Sequence, residues 1–170
     1  LEEGSRLVVP ARVVAPRTAL DASEIEQCHT YLGPTAGYIE RAYWHELFAR
    51  EDASTAAMLR NAAGDRAVVL RFSIKELPTF AQWKNTTALS DGYVTGLEPG
   101  TDYPNSRTFE REQGRVKILE PGETHRSTVT LEVHDSSSAI RAVEKEIAAI
   151  QQNRETIVYT EPNPRYSPLD

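Results

Sequence analysis

At 170 residues, with a formal net charge of −6 and a pI near 5.3, the chain has the length for one domain with a sizeable core. Its basic residues are scattered among acids, which excludes a phosphate-backbone partner and sets nucleic acid aside. One cysteine, Cys28, excludes an internal disulfide and fits a reducing, cytoplasmic setting, and no apolar run approaches a membrane span.

The elements follow in chain order. The opening "LEEGSRLVVPARVV" has neither the basic region nor the apolar region of a signal peptide, and it enters strand-like sequence almost at once. It reads as a fragment or a processed piece whose true start lies upstream. Residues 5 to 15 are β-branched and punctuated by Pro10 and Pro16, which suits an edge strand or one with a bulge. "YIERAYWHELFA" (38 to 49) and "TAAMLRNA" (55 to 62) read as strands, the second equally as a short helix. In "RAVVLRFSI" the residues Val68, Leu70, Phe72 and Ile74 alternate with Val69, Arg71 and Ser73, which predicts a strand with one buried face. "TFAQWK" and "YVTGLE" continue the series. "RVKIL" and "STVTLEV" then flank a Pro-Gly turn as a hairpin, with Val129, Leu131 and Val133 on one face.

The period changes at Asp135. Ile140, Val143, Ile147 and Ile150 recur at helical spacing, with Asp135 and the serines as capping candidates. Three prolines in the last segment predict an extended tail on the surface or docked elsewhere. The organisation is therefore all-β, a sandwich or barrel over residues 1 to 135, followed by an amphipathic helix over 136 to 152 and a tail over 153 to 170.

Chemistry concentrates in "YVTGLEPGTDYPNS". Period 2 puts Val94, Gly96 and Glu98 on one strand face, so the glycine clears space beside the carboxylate. Pro99-Gly100 suits the centre of a type II turn, and the same Glu-Pro-Gly tripeptide recurs at residues 120 to 122 as its control. From the residues alone Glu98 is either a turn anchor or a functional group. Asp102, Asn105 and Arg107 offer donors and acceptors that the second copy lacks. Cys28 beside His29 has no accompanying oxyanion motif, and the four histidines fall at no metal spacing, so neither a catalytic thiol nor a metal or other cofactor is expected. In "YWHEL", Tyr43 and His45 fall on one face and Trp44 and Glu46 on the other, and "QWK" sets Lys84 beside a tryptophan. Each reads equally as core packing. Arg107, Arg111 and Arg115 recur every four residues near a strand start, as a solvated face.

Together "WKNTTALSDGYVTGLEPGTDYPNS" and "ILEPGETHRSTVTLEV" resemble the C-terminal part of aldose 1-epimerases, the galactose mutarotase-like sugar proteins. "EGSRL", "YWHEL" and "LEPGTDYPN" bring the likeness closer to a less characterised, DUF4432-like branch. The resemblance covers residues 1 to 150 and is strongest from 82 to 133. It implies a large antiparallel supersandwich holding a monosaccharide, with Glu98 as the base in anomer interconversion. His45, Lys84, Asp102, Asn105 and Arg107 are the implied lining of the sugar pocket. The family's acid histidine and a sugar-contacting arginine would lie on an N-terminal segment or chain that completes the sandwich. The other reading is a non-catalytic sugar-binding or sensing domain on the same fold.

Overall fold

In the computed structural model, which describes residues 1–169, nine strands form two sheets with one long helix outside them. Sheet A has the order β1 (Arg6–Val8), β4 (Ser54–Arg60), β5 (Ala67–Ser73), β8 (Thr130–His134). Sheet B has the order β7 (Val94–Gly100), β6 (Thr79–Asn85), β3 (Arg41–Leu47), β2 (Ala11–Pro16), β9 (Ile157–Val158). All pairings are antiparallel except β2 with β9.

The sheets meet over Leu7, Ala57 and Phe72 of sheet A and Leu47 and Phe80 of sheet B, with Phe72 and Phe80 stacked at 6.1 Å. The outer face of sheet A is covered by α3 (Ser137–Gln151), whose buried Ile140, Val143 and Ile147 pack on Ala56, Met58 and Val69. Four buried β-branched side chains, Ile150 included, contribute on the order of 6–12 kcal/mol before the entropy of ordering the helix is subtracted. Ser136 caps the helix by accepting from the Ala139 amide. Because the helix covers Val69, strand β5 is packed on both sides, and the expectation of a single buried face there is corrected.

Other corrections have local causes. The run from 5 to 15 is two strands in different sheets, and the second carries a bulge between Ala11 and Val13. Glu-Pro-Gly at 98 to 100 is no turn; it continues β7, with Pro99 opposite Phe80 and Gly100 opposite Thr79. An edge strand tolerates the missing proline N–H. The copy at 120 to 122 is a turn, with Gly122 at φ 84° and the Glu123 amide donating to Glu120 O at 2.9 Å. No hairpin flanks it: "RVKIL" is not a strand, and only Thr130–His134 pairs, on β5. Leu131 and Val133 lie opposite Leu70 and Val68 on β8, the edge strand of sheet A, and are 64% and 76% exposed.

Arg107 and Arg111 lie on a short helix, α2 (Arg107–Glu112), not near a strand start. A further single turn of helix, α1 (Ala19–Ala22), is closed by a Thr18–Asp21 capping box. The tail docks on sheet B through β9 and the buried Tyr166 and Ser167. No helix among the described residues is long and apolar enough to cross a membrane.

Candidate functional site

Register across sheet B sets out the site. One row runs Glu98, Ala81, Trp44, Ala15 from β7 to β2, and the next runs Gly96, Trp83, Ala42, with Arg17 beyond, its amide bonded to Ala42 O. Ala42 lies at the base between the two indoles, and the rows end on Glu98 at the β7 side and on Arg17 at the β2 side. The resulting cleft has a volume of about 300 Å³ and is lined by Arg17, Glu40, Ala42, Trp44, Trp83, Glu98 and Pro104. Trp83 is half-buried and donates through Nε1 to Glu40 Oε2 at 2.8 Å; Trp44 is only 1% exposed.

Gly96 has the role its place in the strand foretells. A Cβ built on it would lie 2.3 Å from Glu98 Oε1, and the nearest atoms it meets all belong to Glu98. The carboxylate is therefore folded over the glycine. It remains solvent-accessible, and burial of its inner side is the sole influence raising its pKa above the ordinary carboxylate range. A carboxylate of that kind, reachable and without a charged partner to hold its proton off, holds a proton more readily than an ordinary one and can accept and return it.

The other expected site residues are distributed differently. His45 and Lys84 share a strand face with Tyr43 and Gln82, on the opposite side of sheet B from Glu98. His45 is fully buried, stacked at 5.2 Å on His29 and edge-on at 5.7 Å to Phe80, and burial lowers its pKa well below the ordinary histidine value. Lys84 is 2% exposed; its ammonium donates to Thr30 O at 2.7 Å and lies over the rings of Tyr31 and Tyr43, and burial lowers its pKa. Neither lines the Glu98 cleft, because alternation along β3 and β6 directs them into the sandwich.

Asp102, Asn105 and Arg107 belong to the loop that closes one end of the cleft, and Pro104 is its lining residue. The Asp102 carbonyl accepts from Thr79 Oγ1 at 2.9 Å. Asn105 Nδ2 donates to Glu110 Oε1 at 2.7 Å and to Tyr166 O at 2.8 Å, so its amide is spent on loop structure. Arg107 is exposed at the start of α2 and lines no part of the cleft. The loop is anchored by Glu110, 1% exposed. Burial pushes its carboxyl up, but bonds from Arg115 and Asn105 outweigh that and hold it below the usual range.

Four lining residues escaped the sequence reading: Arg17, Glu40, Ala42 and Pro104. Arg17 and Ala42 become visible only through the β2–β3 register. Glu40 carries a weaker signal, lying two residues before Ala42 on the same alternation.

A larger cavity, about 690 Å³, adjoins the cleft on the same sheet face and contains Glu46, Tyr103 and Tyr166. Its carboxylate is already occupied, since Glu46 accepts from Tyr166 Oη at 2.7 Å and Arg165 at 2.8 Å. The smaller cleft holds the unpaired carboxylate, Glu98. Cys28 is buried and burial pushes its thiol up to about 11, which leaves no thiolate for nucleophilic work. Among the described residues no cluster of His, Cys, Asp and Glu is arranged to hold a metal.

A family model described as "Domain of unknown function (DUF4432)" matches residues 1–133. No curated protein matches the chain. Among solved structures, a "putative aldose 1-epimerase" from Klebsiella pneumoniae subsp. pneumoniae MGH 78578 is 36% identical, with a TM-score of 0.92 over 96% of this chain and 42% of the other. The chain thus spans less than half the length of the structure it matches.

Proposed function

Since this chain belongs to the DUF4432 family, we propose that it is the carboxylate-bearing part of a carbohydrate isomerase of the aldose 1-epimerase type, interconverting the α and β anomers of an aldose or modified aldose. The observation that carries the reading is Glu98, unpaired and with a raised pKa, folded over Gly96 in a tryptophan-bearing cleft. The Klebsiella structure named for that activity supports it.

In this mechanism a pyranose lies over Ala42 with one face against Trp83. Glu98 takes the proton of the anomeric hydroxyl as the C1–ring-oxygen bond breaks, and an acid delivers a proton to the ring oxygen. Rotation about C1–C2 and reversal of both transfers close the other anomer. Arg17 and Glu40 hydrogen-bond hydroxyls on the far rim.

None of the residues lining the cleft is a histidine. We infer that the acid comes from an N-terminal segment or chain that extends the sandwich. The unpaired edge of β8, with Leu131 and Val133 exposed beside it, supports that reading. The same absence favours the second reading, a sugar-binding or sensing domain without turnover.

Anomer exchange followed by NMR in the full-length protein separates them. Glu98→Gln is expected to abolish exchange while saturable monosaccharide binding persists. An unchanged exchange rate removes Glu98 from the role; binding without exchange in the wild type establishes the sensing domain.

A further inference from the structure

Trp44 has the ring area for sugar stacking and sits in the same row as Glu98, yet it is almost wholly buried, whereas Trp83 keeps a face open. The C-terminal tail and Tyr103 pack together against Trp44. Trp44 Nε1 donates to Ser167 Oγ at 2.9 Å across 123 residues of sequence. Tyr103 stacks on Trp44 at 5.5 Å, and Tyr166 meets Tyr103 edge-on at 6.0 Å. The tail is fastened independently at this point, through Tyr166 Oη and Arg165 to Glu46 and through Asn105 to the Tyr166 carbonyl.

This aromatic block lies between two spaces on one sheet face. On one side is the cleft of about 300 Å³ that includes Glu98 and Trp44; on the other is the cavity of about 690 Å³ that includes Glu46, Tyr103 and Tyr166. The smaller volume is at the bottom of the range for small-molecule sites, and the two spaces together would be an ordinary extended one.

We propose that the tail segment Arg165–Ser167 is a partition that limits the Glu98 cleft to a single sugar ring, selecting free monosaccharides against longer reducing saccharides. The selectivity rests on the sugar reading above; the shielding of Trp44 does not. A second ring continuing along the sheet meets Trp44 and the tyrosines packed on it. With the tail displaced, the indole of Trp44 becomes a second stacking platform and the larger cavity becomes reachable from the cleft.

Two measurements on one set of proteins test this. The set comprises the full chain, a chain ending at Glu161, and the full chain with Tyr166→Ala, which retains β9 and α3 should the truncation fail to fold. With Trp83→Phe added, Trp44 is the one tryptophan left in these 170 residues, and acrylamide quenching of its emission, excited beyond the tyrosine band, is expected to rise at least 3-fold when the partition is lost. Unchanged quenching in both folded variants overturns the shielding, and the partition with it. With Trp83 present, binding of D-glucose and D-galactose is compared with that of maltose and lactose. The full chain is expected to favour the monosaccharides at least 10-fold and the variants to lose most of that preference. Equal binding of both classes by the full chain, or a preference unchanged in variants whose Trp44 is exposed, overturns the proposal. Failure of every sugar to bind any of the proteins, with quenching raised, instead overturns the sugar reading and the selectivity drawn from it.

Discussion

Gly96→Ala is the most economical perturbation of the site, because it adds one carbon atom and the nearest contacts it makes are all with Glu98. The new Cβ would stand 2.3 Å from Glu98 Oε1, 3.1 Å from its Cδ and 3.4 Å from its Cγ. An ordinary contact needs roughly 3.5 Å, so the carboxylate must retreat by about 1 Å. Gly96 is not at positive φ, so alanine fits the backbone. Holding Glu98 off its preferred rotamer costs about 0.5–1.5 kcal/mol, while loss of glycine entropy in the unfolded chain returns about 0.4–1 kcal/mol. Net stability should therefore change by less than about 1 kcal/mol, a Tm shift within about 4 °C at this size. Chemistry is far less tolerant: a catalytic group misplaced by 1 Å can cost about 100-fold, or about 2.7 kcal/mol of barrier. Thermal unfolding beside NMR anomer exchange in the full-length protein reads both. Exchange at the wild-type rate would refute the claim that the position of this carboxylate matters. A Tm collapse beyond about 10 °C would show instead that the glycine serves the fold.

Further predictions concern the scaffold. Burial first, then the charges of Arg6 and Lys84, depresses His29 from 6.5 to about 4, so the folded protein holds it neutral where the unfolded chain binds a proton. Its contribution is complete above about pH 6.5 and falls away as pH drops toward 4, by about 3 kcal/mol, with His45 shifted in the same direction. Urea midpoints between pH 4 and 7 should trace that slope and His29→Gln should flatten it; an equal slope in the variant contradicts the assignment. Glu110→Ala strips the buried anchor from Tyr103 N, Asn105 and Arg115 and should cost about 3 kcal/mol, with faster hydrogen exchange at the Tyr103 amide. A cost below about 1 kcal/mol would mean that the loop is held otherwise. Cys28, buried with its thiol near 11, should resist iodoacetamide at pH 8 until the protein unfolds, and prompt stoichiometric labelling of the native protein would contradict that burial.

What was legible in the sequence is what periodicity fixes within one element. Alternation located β3 through β7 and put Gly96 and Glu98 on one face, and helical spacing named the four buried residues of α3. What a face packs against is not local information. His45 and Lys84 were grouped with Glu98 because they carry suitable groups, but only the β3–β6–β7 register shows that they face the other way. Val129, Leu131 and Val133 alternate like a core strand, and nothing in their spacing says that they are left exposed at the edge of sheet A. Helix α2 escaped because six residues rich in charge show no apolar stripe. Its support is the Ser106 cap and the Arg115–Glu110 pair, both outside any periodic signal.

The two copies of Glu-Pro-Gly show how far the local code reaches. At 120 to 122 the tripeptide has no paired neighbours and takes the turn that its proline and glycine prefer, with Gly122 at positive φ. At 98 to 100 the same residues lie against Ala81, Phe80 and Thr79, and the ladder holds them extended. Free energy from pairing along β6 outweighs a turn preference worth no more than a kcal/mol or so, and only because β7 is an edge does Pro99 cost the ladder so little. Extended backbone at Glu98 is also what makes it a site residue: it keeps the alternation from Gly96 intact, so the carboxylate projects over the glycine and into the cleft. Glu98 and Glu120 thus share one tripeptide and differ in backbone because only the first has strand partners.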